Sequence, residues 1–192
     1  MRKIDETKRK LVVQAVFDVT CEEGITNLSI GKIAKKAGVS KATVYVYFDN
    51  KTDMLGKIYL DIKRRMDDGL FEQINTSDSY PKRVRMALGH FAKFFISHPI
   101  ESDFMRSIQA NPNLVDPEIL KTSETIAKPV MDLFNEGIEK HLWVSNDPVI
   151  LFAILLSPLI QIIEYYYNKN QPVPDDTLTE LLDLLVKNNL VD

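Results

Sequence analysis

The chain has 192 residues and a mass of 22.0 kDa, long enough for one sizeable core or for a small module joined to a larger one. Hydrophobic residues make up 45% and charged residues 27% of the sequence, which excludes wholesale disorder. Cys21 is the only cysteine, which excludes an internal disulfide and a cysteine-cluster zinc site and favours a reducing compartment.

The formal net charge of −3 hides an asymmetry along the chain. Residues 1–51 contain ten Lys or Arg and six Asp or Glu, a net +4, whereas residues 52–192 contain fourteen and twenty-one, a net −7. A surface that binds a polyanion is therefore expected near the N-terminus. The first ten residues lack the apolar stretch of a secretory signal, so we expect a cytoplasmic protein.

Apolar residues recur at helical spacing, and no run shows the sustained alternation of a half-buried strand, so the predicted fold class is all-α. The first helix is predicted over 5–23, with an apolar stripe that includes Leu11, and it ends at Gly24. A short second helix is expected after Ser29, and a third runs from Ser40 to about residue 48. A fourth helix opens at Asn50 with a sequence resembling a capping box.

The rest of the chain is also predicted to be helical. After a polar turn over 75–81, an aromatic-rich helix ends at His98-Pro99. Three further helices are expected over 118–143, with a kink at Pro129, over 148–168, with a bend at Pro158, and over 176–188. The apolar run over 149–163 is shorter than the roughly 20 residues that a bilayer span needs, so we expect no membrane contact.

Residues 29–51 hold the pattern of a helix-turn-helix. This motif needs a small residue where two helices cross, a turn residue that tolerates positive φ, and apolar residues on both sides of the corner. Ala34, Gly38, Val39 and Val44 meet these needs in that order. Such a corner holds the second helix outward, where it can enter a DNA major groove about 12 Å wide.

The outward face of that second helix has a composition that suits DNA. If Val44 faces inward, Phe48 lies beside it, while Ala42 and Val46 point nearly the opposite way. Methyl groups can contact thymine methyls, and neighbouring hydroxyl groups can reach phosphates or base edges.

Four other side chains near this face have two interpretations each. Lys41, at the start of the third helix, and Lys51, at the start of the fourth, are candidates for phosphate contacts or ordinary solvated lysines. Tyr45 and Tyr47 could donate to phosphates or pack with exposed hydroxyl groups.

Over about residues 8–56 the sequence resembles the DNA-binding head of the tetracycline-repressor (TetR/AcrR-type) family of bacterial transcription regulators. The resemblance lies in Ile33-Ala34, Ala37-Gly38-Val39-Ser40, Thr43-Val44-Tyr45, Tyr47-Phe48 and Lys51. It implies that Lys41, Ala42 and Thr43 face bases or adjacent backbone, and that phosphates are bound by Tyr45, Tyr47, Lys51 and Ser29. Gly31 departs from relatives that carry a longer, base-contacting side chain there, which puts base reading from the second helix in doubt.

The resemblance also implies a DNA-binding domain over 1–52 and a helical domain for effector binding and dimerisation over 53–192. A palindromic operator needs two heads, and hence a dimer. The helix at 148–168, apolar almost all round, and the helix at 176–188 are the predicted homodimer interface. The alternative is that both pack wholly inside one chain.

Apolar residues with a few polar neighbours are typical of small-ligand pockets. The candidates for effector binding are Phe91, Phe94, Phe95, Met105, Phe134, Gln161 and Tyr165. For each aromatic residue taken singly, core packing is the favoured interpretation. Gln161 and Tyr165 stand four apart on an apolar helix, where a polar group needs a partner, supplied by an effector or by a dimer partner.

No catalytic residues, metal ligands or cofactors are predicted. The three histidines are dispersed, no nucleophile elbow occurs, and Cys21 is interpreted as a small packed hydrophobe. The sequence predicts a homodimeric, ligand-responsive transcription regulator, a repressor released from a palindromic operator by a small lipophilic effector. The alternatives are a helical ligand-binding or enzyme-like bundle with a vestigial head, and a module that binds an acidic partner other than DNA.

Overall fold

The computed structural model describes residues 5–191, which form eleven α-helices and two short 3-10 turns. No strand occurs in this range, where one isolated bridge pairs Trp143 with Leu190, so the all-α prediction is confirmed. The helices are α1 (Glu6–Glu23), α2 (Ile30–Lys36), α3 (Lys41–Tyr47), α4 (Lys51–Asp67), α5 (Leu70–Ile74), α6 (Tyr80–Ser97), α7 (Pro99–Ala110), α8 (Pro117–Ile126), α9 (Lys128–Glu139), α10 (Pro148–Asn168) and α11 (Asp175–Asn189).

The chain divides into two compact units. The first combines the described residues up to Arg65 with Ile100–Thr125, and the second combines Met66–Pro99 with the chain from Ile126 onward. Helices α7 and α8 thus belong to the same unit as the N-terminal head. The predicted boundary at residue 52 separates a DNA-binding part of the chain from a part that binds the effector and the second subunit. It is a boundary of function, and it stays a prediction.

The first unit is built on α1 and α4. Val12 and Val16 of α1 are fully buried, as are Leu55 and Ile62 of α4. Leu11, predicted to belong to the apolar stripe of α1, is instead 49% exposed. The stripe therefore runs along the Val12 side of the helix, where Ala15, Val16 and Val19 are also buried.

Helix α8 packs closely on α4 within this unit. A Cβ atom placed on Gly56 would lie 2.8 Å from Cγ1 of Ile119, closer than real side chains approach. One turn further, the buried hydroxyl groups of Tyr59 and Ser123 lie 3.4 Å apart. Gly56 therefore permits the contact between the two helices.

In the second unit, α6 packs against α5, α10 and α11. The hydroxyl of Tyr80, the first residue of α6, donates to the backbone carbonyl of Leu133 at 3.0 Å. The Tyr80 ring meets Trp143 edge to face, with centroids 5.8 Å apart. A Cβ on Gly137 would lie 2.0 Å from the Tyr80 hydroxyl oxygen, so this position requires glycine.

The ion pair between Arg83 and Glu136 also lies in the second unit. The guanidinium donates to both carboxylate oxygens, at 2.6 and 2.9 Å. This paired hydrogen bond, with a smaller contribution from Lys140, lowers the pKa of Glu136 from 4.5 to about 2.

The helix predicted over 118–143 is wrong, because two helices occupy that range. α8 ends at Ile126, and α9 begins at Lys128 with Pro129 in its first turn. Proline has no N–H to donate and its ring disfavours continuation from the preceding turn, so the chain starts a new helix where we expected a kink. Two helices were missed altogether: α5, which has five residues, and α7, which starts at the same Pro99 that was expected only to end α6.

Helix α10 continues through Pro158 without a break. Its buried residues recur every fourth position, at Leu151, Leu155, Leu159 and Ile163. Among the described helices, α10 is the one that is long and apolar enough to cross a membrane. Core helices of soluble proteins can have the same length and composition.

Candidate nucleic-acid interface

The corner between α2 and α3 is fixed by three sets of local hydrogen bonds, at the start of α2, at the end of α2 and at the start of α3. Ser29 caps α2, since its hydroxyl accepts from the Lys32 amide at 3.3 Å. Gly38 ends α2 with a φ of +66°, which allows the Val39 amide to reach the Ala34 carbonyl at 3.0 Å.

The third set of hydrogen bonds lies at the start of α3. The Ser40 hydroxyl accepts from the Thr43 amide at 3.1 Å and lies 2.9 Å from the Thr43 hydroxyl. Each set uses groups within five residues of one another. The direction in which α3 leaves the corner is therefore set locally.

Helix α3 buries one face and exposes the other. Val44 is fully buried and Phe48 is 1% exposed, whereas Tyr45 is 53% and Val46 is 50% exposed. Ala42 is exposed as well, and Thr43 is half-buried. The predicted outward face, with Ala42 and Val46 opposite Val44, is thus present, and none of residues 5–191 covers it.

The lysines of α2 differ in their pairing. Lys32 binds Glu23 at 2.5 Å, and Lys36 binds Glu22 at 2.5 Å. The hydrogen bond that Lys36 donates to Glu22 raises the pKa of Lys36. These contacts fasten α2 to the end of α1 and neutralise two positive charges.

Two other lysines of the corner keep their charge available. Among residues 5–191, neither Lys35 nor Lys41 has an acidic partner, and both are exposed. The Lys41 side chain lies against the first turn of α2, where a Cβ placed on Gly31 would be 3.2 Å from its Cε and 3.5 Å from its Nζ. Gly31 is the position at which the sequence departs from the family pattern. Because it has no side chain, the end of the Lys41 side chain lies in the space beside it.

The two tyrosines of α3 have different surroundings. The hydroxyl of Tyr47 donates to the backbone carbonyl of Asp5 at 2.9 Å, so its single proton already has an acceptor. Within the described chain, the Tyr45 hydroxyl has no hydrogen-bond partner. Of the two predicted phosphate contacts, Tyr45 alone can donate without first breaking a bond in the protein.

Lys51 stands in the first turn of α4, beside the end of α3. The Asn50 side chain accepts from the Asp53 amide at 2.9 Å, which starts the helix as predicted, while the Asp53 carboxylate accepts from the Asp49 amide. The Lys51 ammonium lies 3.4 Å from the Thr26 carbonyl, and partial burial lowers its pKa. The contact leaves donors free for a phosphate.

The predicted effector residues are divided between the two compact units. Met105 is buried in the first compact unit, whereas the others belong to the second. Phe91 and Phe134 are 4% and 1% exposed, and Phe134 packs edge to face on Trp143 and Phe152, at 5.5 and 5.0 Å between ring centroids. Core packing accounts for these contacts, and effector binding by Phe91 and Phe134 stays a prediction.

The remaining candidates are more accessible. Phe95 is half-buried and stacks on Phe91 with ring centroids 6.5 Å apart. Gln161 and Tyr165 are both exposed, and the Tyr165 hydroxyl accepts from Lys169 at 2.6 Å. These two polar residues of α10 face away from the buried stripe, so they do not line the interior of this unit.

Apolar side chains remain uncovered on α10 and α11. The most exposed aliphatic side chains are Val149 at 73%, Ile150 at 49% and Leu184 at 46%. An open groove beside Leu184 is mainly acidic, and its other lining residues are Asp175, Asp176, Thr179, Glu180, Asp183 and Lys187. None of the predicted effector residues lies in it.

The histidines and the cysteine also have definite positions. Nε2 of His90 lies 2.8 Å from the Met66 carbonyl and Nδ1 lies 3.1 Å from the Gln73 side-chain amide. Both ring nitrogens therefore have partners within the protein, as expected of a histidine with a structural role. The expectation that Cys21 packs as a small hydrophobe is wrong, because the residue is exposed. The pKa of its thiol is raised, first by the partial loss of solvent around the sulfur and then by nearby carboxylates, chiefly that of Asp103. Over residues 5–191, no group of His, Cys, Asp or Glu could hold a metal ion.

Sequence reasoning missed three long-range features of this surface. They are the bond from Tyr47 to Asp5, the pairing of Lys32 and Lys36 with α1, and the packing of Lys41 over Gly31. The unusual glycine at position 31 was the one sequence signal that could have indicated the third.

Comparisons with known proteins agree with this geometry. Residues 17–58 match the family described as bacterial regulatory proteins, tetR family. The HTH-type transcriptional regulator YhgD of Bacillus subtilis is 23% identical over 184 residues, covering 95% of this chain and 96% of the relative. The HTH-type transcriptional activator FasR of Mycolicibacterium smegmatis is 26% identical, covering 92% and 79%.

Two further comparisons concern a shorter match and a solved structure. The fatty acid metabolism regulator protein of Bacillus subtilis is 28% identical over 82 residues, 42% of each chain. The crystal structure of a TetR family transcription regulator from Marinobacter aquaeolei superposes with a TM-score of 0.85 at 18% identity, covering 100% of both chains. The relatives named are regulators and not enzymes, and the fold is the one that these proteins share.

Proposed function

Because this chain belongs to the tetR family of bacterial regulatory proteins, a family of DNA-binding transcription regulators, we propose that it works as a homodimeric, ligand-responsive repressor. In this proposal residues 1–52 bind a palindromic operator, and residues 53–192 bind a small lipophilic effector and the second subunit. The observation that carries the proposal is the exposed, apolar outward face of α3 opposite the buried Val44.

DNA contact by that face is supported by its chemistry. Val46 and the methyl group of Ala42 would meet thymine methyls, while Tyr45, Lys51 and the Ser29 hydroxyl would donate to phosphates. In this proposal Thr43 and Lys41 face bases or adjacent backbone. None of these contacts requires a side chain to leave the core.

Homodimer formation is supported by the uncovered apolar side chains of α10 and α11. Half-sites of a palindromic operator recur about one DNA turn apart, roughly 34 Å, and one head reads only one of them. Val149, Ile150 and Leu184 would be removed from water by a second copy of the same two helices. Gln161 and Tyr165, exposed on the same chain segment, would then find polar partners across the two-fold axis.

A lipophilic effector is supported by the aromatic interior of the second unit and by the name of one relative, a fatty acid metabolism regulator. An effector releases DNA only to the extent that it binds better to the conformation that cannot hold the operator, with a coupling of typically about 1–3 kcal/mol. Repression is the proposed sign, although FasR is named an activator. A protein that acts on chromosomal DNA works in the cytoplasm of a bacterium.

Footprinting of the DNA upstream of its own gene tests the proposal. We expect a protected stretch with two symmetric halves, lost on adding a lipophilic compound such as palmitate, and increased transcription from that promoter when the gene is deleted. A purified dimer without salt-dependent affinity for this DNA would favour the ligand-binding bundle with a vestigial head.

A matched pair of variants tests whether the exposed, apolar face of α3 contacts DNA. Val46→Glu places a charge on the outward face of α3, and Leu11→Glu places the same charge on α1 at nearly equal exposure, 50% against 49%. We expect Val46→Glu to abolish binding and Leu11→Glu to leave it measurable. Equal losses would remove α3 from the interface.

A further inference from the structure

The contact between Gly31 and Lys41 joins the two helices of the corner. A Cβ on Gly31 would meet Cε and Nζ of Lys41 at 3.2 and 3.5 Å and the Ser29 hydroxyl at 3.9 Å. The ammonium group that α3 contributes therefore lies beside the first turn of α2. A Cβ at position 31 would require the end of the Lys41 side chain to shift by a few tenths of an ångström, and a longer side chain would compete with it for this place.

Lys41 is available to read a base. It is exposed, and unlike Lys32 and Lys36 it has no acidic partner among the residues that the structure describes. Its Cε and Nζ lie beside Gly31, and a side chain already in contact with the protein loses less conformational freedom when its ammonium group binds. Recognition helices present their first residues to base edges, and Lys41 is the first residue of α3.

We infer that Gly31 and Lys41 form one specificity-determining unit, in which the missing side chain of α2 is replaced by the ammonium group of Lys41, and that this group reads a guanine in each operator half-site. Guanine is the base expected, because its O6 and N7 present two adjacent acceptors in the major groove and lysine offers only donors. Gly31 is a positioning residue, since it acts through Lys41. The inference rests on the DNA-binding function of the head.

Selection from a randomised palindromic operator, with the full-length protein, tests this inference. Lys41→Met keeps the apolar stem and removes the charge, and Lys35→Met is the charge-matched control, since Lys35 is also exposed and without an acidic partner among residues 5–191. We expect wild type to select a guanine at one position per half-site. Lys41→Met should reduce that preference about tenfold and leave the other positions unchanged, whereas Lys35→Met should leave every preference unchanged.

Gly31→Leu separates positioning from a general loss of binding. Its side chain occupies the space of the Lys41 stem, so we expect it to reduce the same guanine preference in the wild-type background and to have no further effect in the Lys41→Met background. Circular dichroism of each variant verifies that the helices are retained.

Three results would overturn the inference. Uniform weakening of all operators by Lys41→Met would make Lys41 a phosphate contact. An equal effect of Gly31→Leu in both backgrounds would mean that Gly31 does not act through Lys41. If wild-type protein enriched no sequence at all, the DNA-binding function would fail as well, and that outcome is distinguished from the other two because it appears without any substitution.

Discussion

The hydroxyl of Tyr47, at the end of α3, donates a 2.9 Å hydrogen bond to the backbone carbonyl of Asp5, the residue that caps α1. The two residues are 42 positions apart, and their contact ties the end of the recognition helix to the start of the head. Because a tyrosine hydroxyl has one proton and a phosphate oxygen can only accept, Tyr47 cannot serve Asp5 and a phosphate at once.

Tyr47→Phe is therefore expected to affect stability more than DNA binding. Loss of this exposed hydrogen bond should lower the free energy of unfolding by about 1 kcal/mol, measured by urea denaturation. Tyr45→Phe is the matched variant, and it should weaken operator binding several-fold with unchanged stability, because the Tyr45 hydroxyl has no partner within residues 5–191. If Tyr47→Phe weakened binding more than Tyr45→Phe, Tyr47 would be the phosphate contact.

Lys51→Ala should weaken binding to all operator sequences alike. A lysine that neutralises one phosphate contributes about −0.9 to the slope of log K against log salt, so a dimer with two heads should lose a slope of about 2. Fluorescence anisotropy over a range of salt concentrations measures this slope. Lys57→Ala is the control, because Lys57 is already paired with Asp53 at 2.8 Å; a slope unchanged by Lys51→Ala would show that Lys51 does not touch phosphate.

Gly38→Ala should destabilise the corner. At a φ of +66° an L side chain is strained by roughly 1–2 kcal/mol, and the cap between Val39 and Ala34 depends on this conformation. Gly89→Ala is the contrasting control, since its Cβ would be in ordinary contact with Leu182 at 3.8 Å and alanine favours helix. Thermal denaturation should show a lower Tm for the first variant and an equal or higher Tm for the second.

The pair of Arg83 and Glu136 should make stability depend on pH in the acid range. Because the folded-state pKa of Glu136 is lowered from 4.5 to about 2, its contribution is fully present above pH 4.5 and is lost as the pH falls toward 2. Glu136→Gln should flatten the dependence of the urea midpoint on pH across this window. Asp132→Asn should not, because its pair with Lys128 is largely exposed and screened by solvent.

Charges placed on the uncovered apolar faces should separate the subunits of the proposed dimer. Ile150→Glu combined with Leu184→Glu is expected to give a folded monomer in sedimentation velocity, because a buried, unpaired carboxylate is costly at an interface. Phe71→Glu is the control, since Phe71 is similarly exposed, at 54%, but lies on α5. A dimer that survives the double substitution would place the interface elsewhere.

The amino-acid sequence by itself determined the all-α class, the head with its corner and the start of α4. These features depend on groups three to five residues apart, such as Ser40 with Thr43 and Asn50 with Asp53, so the sequence carries them directly. The buried and exposed faces of α3 followed from helical spacing alone, because Val44 and Val46 differ by about 200° around the helix axis.

Tertiary structure alone decided which polar groups remain free for a ligand. Lys32 is neutralised by Glu23 and Tyr47 is held by Asp5, whereas Lys41 stays free above Gly31, and nothing in the local sequence separates these cases. The same holds for Gln161 and Phe134, since exposure of one and burial of the other depend on which faces of α10 and α9 meet other helices. Contacts between residues distant in the chain depend on how helices pack, and helical periodicity does not specify the partner.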